Sequence, residues 1–370
     1  MTGTNIITAA MQSTIRVLHI SGGLGPGGKE RQMTELIRNF NGSRFIMGVL
    51  TFGKNQHYSS TAKEYSSYFR ELTKRPTRLE PFFTIWKCYS EFRPDIVHTW
   101  DSLSSMYAWL PCKYHKIKLI DGSIRDSGVD KGWHYHFKRF FLKQASMIIS
   151  NSMAGLKAYN VEGQVVYNAI DTSRFRPAEE NKEFNMVMTA NFSEFKDQKT
   201  FLNAAVNLVS NNIVDNVYLL GDGLYRNKYL NWIEHEYPEI APRFHFEGAV
   251  SNVEEYLSRC HVGVLCSTPE YSEGLSNSVL EYMAAGLVPI VTDIGGSAEI
   301  VDDSRNGYLI QPEDHHRIIE LVTMLKSKPG LRGQIIGSAK STIDEKFSKQ
   351  KNIDMITMLY GKISTAAQLT

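Results

Sequence analysis

The sequence has 370 residues, a length that suits two hydrophobic cores better than one. With 42% hydrophobic and 22% charged residues, the composition is that of a globular protein and excludes a largely disordered chain. The net charge of +2 is too small for the basic face that nucleic-acid-binding proteins usually carry, so no nucleic-acid partner is expected.

The cysteines and the apolar runs bear on where the protein resides. The four cysteines, Cys88, Cys112, Cys260 and Cys266, form no C-x-x-C pair, which fits a reducing, cytoplasmic compartment. Cys260 and Cys266 lie in apolar runs and are predicted to be buried thiols. Residues 1–14 lack both a positive charge and an apolar core of useful length, so they predict a disordered terminus rather than a signal peptide. No run reaches the roughly 18 apolar residues of a membrane span.

The chain order of the predicted elements is strand, glycine-rich turn, helix and strand, and it occurs twice. In the first half, strands are predicted at residues 15–20, 45–52, 95–99, 118–120 and 147–150, with a helix at 31–40. In the second half, strands are predicted at 185–190, 216–220, 243–247, 262–266 and 289–292, with helices at 199–210 and 276–285. Short buried strands alternating with helices predict parallel sheets covered by helices.

We therefore predict an α/β protein of two doubly wound domains that face each other across a cleft. The polar, turn-rich residues 168–183 are interpreted as the linker. The domains are predicted at residues 1–172 and 173–345. Residues 346–370 are predicted as a C-terminal helix that crosses back to the N-terminal domain.

A glycine loop between the first strand and the first helix satisfies G-x-G-x-x-G, from Gly23 to Gly28. Such a loop lets backbone N–H groups approach an anion. A dinucleotide site would need an acidic residue at the end of the second strand, which here reads LTFG, and a P-loop would need a hydroxyl where Glu30 stands. Phosphate approach or lining of a sugar cleft is favoured, with a structural tight turn as the alternative.

The strongest pattern is PEYSEGLSNSVLEYMAAG at residues 269–286. Glu273 precedes a predicted helix that Ser276 or Asn277 caps and Gly286 ends, and Glu281 lies within that helix. At 1.5 Å per residue the two carboxylates are separated by on the order of 12 Å, about the reach of a diphosphate and its flanking rings.

The residue types of this segment suit the binding of a diphosphate and its flanking rings. The backbone N–H groups of Gly274, Leu275 and Ser276, with the helix dipole, favour a phosphate dianion. One carboxylate can accept hydrogen bonds from sugar hydroxyls and the other from a ribose. The alternative is that Glu281 is a solvated helix residue and Glu273 an ordinary loop charge.

The same segment resembles the E-x7-E segment of retaining glycosyltransferases of family 4, which have the GT-B fold. The resemblance continues through PIVTDIGGSAEIVDDSRNGYLI and extends back to FEGAVSNVEEYL, GDGLYR, ANFSEFKDQKTFL and NAIDTSRFRP. In the first half it rests on GGLGPGGKERQM and PDIVHTW. It covers nearly the whole chain and is more specific in the second half.

The resemblance implies a role for each matching position. Lys196 would bind the donor diphosphate, Glu273 the hydroxyls of the transferred sugar and Glu281 the ribose. Asn191 stands where the family usually has an arginine, so Lys196 and the helix N-terminus would carry more of the leaving-group charge. Further contacts with the donor would come from Gly221, Asp222, Gly223, the backbone around Val250, and Gly27 and Gly28.

The acceptor side is less defined. The resemblance implies an acceptor domain at residues 1–172 and a donor domain at 173–345. Candidates in the acceptor domain are His98, Asp101, Arg125 and Asp126. A satisfied structural histidine is an equal interpretation of His98, and Arg125 and Asp126 are comparable. No carboxylate is predicted as a covalent nucleophile. No metal and no cofactor are expected, because the sequence has no Asp-x-Asp triplet and the His134-x-His136 pair lacks a third ligand.

Residues 131–143 (KGWHYHFKRFFLK) mix aromatic with basic side chains. Such a mixture suits a peripheral contact with the inner membrane face. The alternative is a helix that packs its aromatic side chains inward and exposes a basic face.

The predicted activity is transfer, with retention, of a hexose-type sugar from a nucleotide-sugar to a glycan or lipid-linked acceptor in cell-surface polysaccharide biosynthesis. A UDP-sugar is favoured over a GDP-sugar. The alternatives are a nucleotide-sugar epimerase or hydrolase of the same fold, an NAD(P)-dependent oxidoreductase, and a catalytically silent nucleotide-sugar-binding protein.

Overall fold

The computed structural model describes residues 14–40, 42–53, 57–72, 79–128, 132–175, 183–270 and 273–368. Several predictions fall wholly or partly outside these ranges. They concern the terminus at residues 1–14, of which only Thr14 is described, Lys131 of the aromatic and basic segment, and residues 176–182 of the predicted linker. They also concern residues 271–272 of the segment 269–286 and residues 369–370 of the C-terminal helix.

The strands are, in chain order, β1 Ile15–Ser21, β2 Phe45–Thr51, β3 Tyr68–Glu71, β4 Ile96–Thr99, β5 Lys118–Ile124, β6 Met147–Ser150, β7 Gln164–Val165, β8 Met186–Thr189, β9 Val217–Leu220, β10 Phe244–Gly248, β11 Val262–Leu265, β12 Val288–Thr292 and β13 Tyr308–Ile310.

The α-helices are α1 Gly28–Asn39, α2 Ser59–Glu64, α3 Glu80–Phe92, α4 Ser102–His115, α5 Trp133–Leu142, α6 Met153–Tyr159, α7 Gln198–Ser210, α8 Arg226–Glu236, α9 Val253–Leu257, α10 Asn277–Ala285, α11 Ser297–Ile300, α12 His315–Ser327, α13 Pro329–Thr342 and α14 Lys349–Gln368.

These strands form two sheets. The first has the order β3-β2-β1-β4-β5-β6-β7 and the second the order β10-β9-β8-β11-β12-β13. Every strand pair whose register is described is parallel. In both sheets the strand order reverses beside the first strand, as in doubly wound folds. The predicted fold of two doubly wound α/β domains is confirmed.

Strands β3, β7 and β13 were not predicted, and β5 is longer than predicted. β3 was not predicted, because its residues YFRE contain no apolar run and none of them is fully buried. β5 runs four residues beyond the predicted 118–120, through Asp121, Gly122 and Ser123. Asp121 and Ser123 are buried although polar, so composition alone marked the end of the strand too early.

The core of the second sheet is tied together by Tyr282 of α10. Its ring lies against Gly263 of β11, where an added Cβ would come within 2.3 Å of the ring. Its hydroxyl accepts a hydrogen bond from the Thr189 N–H at 2.6 Å and lies 3.4 Å from the Val264 carbonyl. Only glycine at position 263 admits this ring, which fixes α10 against the ends of β8 and β11.

The chain divides into two compact units. The first comprises residues 1–123, 137–148 and 356–370, and the second comprises residues 124–136 and 149–355, in so far as these are described. The domain boundaries predicted at 172/173 and 345/346 stay a prediction. Cys260 and Cys266 are buried free thiols, as predicted, and so are Cys88 and Cys112. Within the described ranges, no helix is both long and apolar enough to cross a membrane.

Candidate functional site

The backbone of Glu273 is held by neighbours on two sides within the second unit. Glu273 forms an antiparallel bridge with Asp126, and the Gly274 N–H donates to the Arg125 carbonyl at 3.2 Å. On the other side, the Gly296 N–H donates to the Glu273 carbonyl at 3.0 Å. The candidate residue nearest the chemistry therefore lies on a loop whose position is fixed before any ligand binds.

Gly295 and Gly296 are required for this close approach. Gly295 has φ +59°, and a Cβ there would lie 2.2 Å from the Glu273 carbonyl oxygen. At Gly296 a Cβ would lie 1.6 Å from the carbonyl oxygen of Gly274. Neither position has room for a side chain, which explains the two consecutive glycines in the sequence.

Lys196 lies on the loop between β8 and α7. Its backbone forms a bridge with Ser267, and the neighbouring Asp197 N–H donates to the Cys266 carbonyl at 3.1 Å. The Asp197 carboxylate in turn caps α7 by accepting from the Thr200 N–H at 3.0 Å. The loop is thereby joined to the segment that follows β11, which leads to Glu273.

The side chains of Lys196 and Glu273 meet. The Lys196 Nζ lies 2.7 Å from the Glu273 Oε2, and the two side chains are 12% and 32% exposed. The sequence assigned them separate roles and did not predict this ion pair. Since both groups are partly withdrawn from water, the carboxylate orients the ammonium and compensates part of its desolvation.

The helix α10 begins and ends as predicted. Ser276 occupies the N-cap position, although its side chain makes no capping hydrogen bond, and Gly286 ends the helix at φ +83°. Glu281 is only 4% exposed, so the interpretation of a solvated helix residue is wrong. Its proposed contact with a ribose stays a prediction.

The start of α10 is fixed by Asn168, which the sequence analysis treated as linker. Asn168 is buried, and its Nδ2 donates to the Leu275 carbonyl at 3.3 Å and to the Asn277 Oδ1 at 3.0 Å. A single buried amide in a polar stretch gives no periodic signal, so the sequence could not reveal this function.

The loop Gly221–Asp222–Gly223 follows β9 and lies against the Asn191 segment. The two glycines have φ +141° and +150°, and a Cβ on Gly223 would lie 2.4 Å from the Phe192 carbonyl oxygen. The Phe192 N–H donates to the Asp222 carbonyl at 3.0 Å. These glycines are needed for backbone packing, and their predicted contact with the nucleotide stays a prediction.

Asn191 is exposed at the end of β8. Its carbonyl accepts a hydrogen bond from the Nε2 of the buried Gln198 at 2.8 Å, which closes the loop that carries Lys196. Arg226, at the start of α8, donates from its Nη2 to the Phe246 carbonyl near the end of β10. The half-buried Val250 follows the same strand.

Glu299 organises a neighbouring helix end. Its carboxylate accepts hydrogen bonds from the N–H groups of Met153 and Ala154, both at 2.8 Å, and from the Tyr167 hydroxyl at 3.1 Å. The sequence resemblance included Glu299 but implied no role for it. Geometrically it is a cap for the first turn of α6.

We expect Glu299→Ala to lower the free energy of unfolding by about 1–2 kcal/mol, because it leaves the backbone N–H groups of α6 without their acceptor. Urea unfolding measures this. The matched control is Glu320→Ala on the exposed face of α12, where only an ion pair with Arg317 is lost and about 0.5 kcal/mol or less is expected. Equal losses in the two variants would contradict the capping role.

Gly27 and Gly28 lie in the first unit, at the start of α1. A Cβ on Gly27 would lie 2.2 Å from the Glu30 Oε2, so a carboxylate already covers this position. The Gly22 N–H donates to the Asp101 Oδ2 at 2.6 Å. Two carboxylates at the glycine loop favour the structural turn and disfavour a dinucleotide, and the predicted phosphate contact stays a prediction.

His98 is buried in the first unit, with 1% of its surface exposed. Its Nδ1 lies 2.8 Å from the Tyr360 hydroxyl, and its ring stacks on Trp100. Trp100 Nε1 donates to the Nδ1 of the adjacent His19, whose pKa burial lowers to about 3. This packing favours the structural interpretation of His98, and its acceptor role stays a prediction.

Arg125 and Asp126 belong to the second unit, next to the Glu273 loop. The Arg125 Nη1 donates to the Asn168 Oδ1 at 3.4 Å, and the Asp126 Oδ1 accepts from the Tyr159 hydroxyl at 3.1 Å. Burial, followed by the charge of Asp126, raises the pKa of Tyr159, so this hydroxyl stays protonated and donates. Their acceptor role also stays a prediction.

A search of the part of the chain that the structure describes finds no group of three or more His, Cys, Asp or Glu side chains that could hold a metal ion. The side chains of His134 and His136 are exposed on α5.

Two family models match the chain. Residues 26–174 match the model described as Glycosyltransferase Family 4, and residues 183–327 match the model described as Glycosyl transferases group 1. Each half of the chain thus matches one glycosyltransferase family model.

Curated relatives match parts of this chain at low sequence identity. The putative glycosyltransferase EpsD of Bacillus subtilis is 27% identical over 207 residues, which are 52% of this chain and 52% of EpsD. The UDP-Gal:alpha-D-GlcNAc-diphosphoundecaprenol alpha-1,3-galactosyltransferase of Escherichia coli is 23% identical over 316 residues, which are 76% of this chain and 79% of that enzyme. The chain therefore spans about half the length of EpsD.

Solved structures share the fold over nearly the whole chain. Anabaena Alr3699/HepE in complex with UDP has a TM-score of 0.80 at 15% identity, covering 94% of this chain and 100% of that one. Sucrose-phosphate synthase from Thermosynechococcus elongatus has a TM-score of 0.78 at 16% identity, covering 95% and 100%. These similarities confirm the GT-B fold.

Proposed function

We propose that this chain, which matches a glycosyltransferase family model in each half, transfers a hexose-type sugar from a nucleotide-sugar to a glycan or lipid-linked acceptor. The proposed reaction retains the configuration of the sugar, needs no metal or cofactor, and prefers a UDP-sugar to a GDP-sugar. Cell-surface polysaccharide biosynthesis is the proposed setting.

The observation that carries the proposal is the order of the candidate residues along the second sheet. Four neighbouring strands lie in the order β10-β9-β8-β11. The segments that follow them therefore lie in the order Val250, Gly221–Gly223, Asn191 to Lys196, and Glu273. At about 4.8 Å per strand these four positions extend over roughly 15 Å. A nucleoside diphosphate sugar laid along the carboxyl ends of the strands would meet base, ribose, diphosphate and sugar contacts in turn.

Lys196 and Glu273 would exchange partners when the donor binds. The diphosphate offers the Lys196 ammonium a stronger anionic partner than the single carboxylate 2.7 Å away. Glu273, still fixed by its backbone, can then accept hydrogen bonds from the sugar hydroxyls. The ammonium remains beside the leaving diphosphate and stabilises the charge that develops as the glycosidic bond breaks.

Because Asn191 is uncharged, more of the diphosphate charge has to be stabilised by other groups. An exposed amide supplies hydrogen bonds but no charge, so the remaining stabilisation comes from Lys196 and from the backbone N–H groups and dipole at the start of α10. No side chain is proposed as a covalent nucleophile, and retention would follow from departure and attack on the same face of the sugar.

The relatives support the choice of substrates. A structure of Anabaena HepE holds UDP, and the printed name of the Escherichia coli relative specifies a UDP-sugar donor and a diphosphoundecaprenol-linked acceptor. Both are properties of those proteins, and they favour UDP and a lipid-linked acceptor here.

A thermal-shift comparison of UDP, GDP, ADP and NAD⁺ tests the proposal. A ligand that binds the native state stabilises it by about 2.7 kcal/mol at 100 times its dissociation constant. Since a UDP-sugar is the proposed donor, we expect UDP to raise the melting temperature most. EDTA should leave that shift unchanged. A larger shift with NAD⁺, or none with any nucleotide, would contradict the proposal, and a donor consumed without a glycosylated acceptor would indicate a hydrolase or epimerase.

A further inference from the structure

Helix α4 of the first unit exposes an apolar stripe. Leu103, Leu110 and Tyr114 are exposed, with Tyr114 at 70%, and their spacing of seven and four residues places them on one helix face. A soluble helix normally turns such a stripe toward the core. The core-facing side of α4 is instead provided by other residues, among them the buried Ala108 and Cys112.

Helix α5 continues this apolar surface. Phe137 and Phe140 are exposed, Phe140 at 51%, so the inward packing considered for the aromatic side chains is wrong for these two. Trp109 of α4 packs edge-on against Phe140 and Phe141, with ring centroids 6.2 Å and 5.8 Å apart. These contacts place α4 and α5 side by side within the first unit, although Trp109 itself lies on a different face of α4 from the exposed stripe.

Basic side chains predominate beside the stripes, and the N-cap residue Asp101 is the carboxylate at the start of α4. Neither helix sequence contains Asp or Glu. Lys113 lies over the Trp109 ring at 5.6 Å. Lys138 is not counted among these cations, because its Nζ donates a hydrogen bond to the Ser123 carbonyl at 3.3 Å. We name the aromatic–basic surface by its members, which are Leu103, Leu110, Lys113, Tyr114, Lys116, Phe137, Arg139, Phe140 and Lys143.

We infer that the aromatic–basic surface binds peripherally to an anionic lipid bilayer. Exposed aromatic and aliphatic side chains enter the headgroup region, while lysine and arginine are attracted to anionic lipid. A second copy of this chain is a poorer occupant, because it would bring two basic surfaces together. The inference extends the sequence-based hypothesis from α5 to α4, and it rests on the proposed function only for the lipid-linked acceptor that would be met there.

Vesicle sedimentation of the full chain tests the inference, with vesicles of phosphatidylcholine alone and vesicles that also contain phosphatidylglycerol. We expect binding to the anionic vesicles, weakened by salt and at least about 10-fold stronger than to neutral ones. Lys113→Ser with Lys143→Ser, and separately Leu110→Ser with Phe140→Ser, should each lower the binding by about 10-fold or more.

The matched control is Lys63→Ser with Lys362→Ser, which removes two exposed charges from the first unit away from this surface and should leave sedimentation nearly unchanged. Failure of the unaltered chain to sediment, equal binding to neutral vesicles, or an equal effect of the control would overturn the inference. So would a dimer that Leu110→Ser with Phe140→Ser dissociates, since that assigns the surface to a second copy. UDP binding without vesicles is measured on the same samples, and its absence would count against the proposed function alone.

Discussion

Lys196→Ala is expected to lower donor turnover at saturating acceptor by at least about 100-fold, which corresponds to roughly 2.7 kcal/mol of barrier. The reason is that Asn191 brings no charge, so the Lys196 ammonium is the main cation proposed for the leaving diphosphate. Steady-state kinetics with the preferred nucleotide-sugar measure the effect. Because the ammonium acts most strongly on the charge that develops during bond cleavage, kcat should fall more than KM rises.

Glu273→Gln is expected to cost a similar factor, since the amide keeps the shape but presents one acceptor oxygen instead of two. The double variant should lose less than the product of the single effects, because the two side chains are in contact at 2.7 Å. Lys199→Ala and Glu270→Gln serve as controls, as both residues are exposed nearby and stand outside the ion pair. Turnover near normal in both single variants, with UDP binding intact, would mean that the site has been misplaced.

The elements that the sequence predicted well are those that local pattern determines. Strands β2 and β11 are largely continuous apolar runs, β1 is mainly apolar, and α10 has a cap residue and a terminal glycine at its ends. Both signals act within a few residues, so they can be recognised without knowledge of the tertiary structure. Strand β3 lacks any such signal and is formed through its pairing with β2.

The parts of the site that the sequence did not predict all depend on contacts between distant residues. The Lys196–Glu273 ion pair joins positions 77 apart, and the Glu299 cap joins positions 145 and 146 apart. Glu281 illustrates the same limit, because its burial depends on the packing around α10 rather than on the surrounding letters. Such contacts follow from sheet order, which a single sequence constrains only through topology rules.

Gly296→Ala is also expected to have a large effect, and it acts on the backbone rather than on a charged group. The new Cβ would lie 1.6 Å from the Gly274 carbonyl oxygen, which no side-chain rotation can relieve. Either the Gly274 loop or the start of α11 must move, and the hydrogen bond from the Gly296 N–H to the Glu273 carbonyl is strained or lost. We expect the free energy of unfolding to fall by about 1–3 kcal/mol.

Turnover should fall by about 10-fold or more in the same variant, measured well below its melting temperature, because a shift of the order of 1 Å at Glu273 misplaces the carboxylate. The control is Gly333→Ala in α13, where an added Cβ meets no atom within 4 Å and a helical alanine should stabilise by about 0.5–1 kcal/mol. If Gly296→Ala unfolds like the unaltered chain and keeps full activity, the Glu273 loop is not held in the way the structure indicates. A loss of stability with full activity would instead show that the structure of this loop is not needed for the reaction. The reacting sugar would then have to bind away from Glu273.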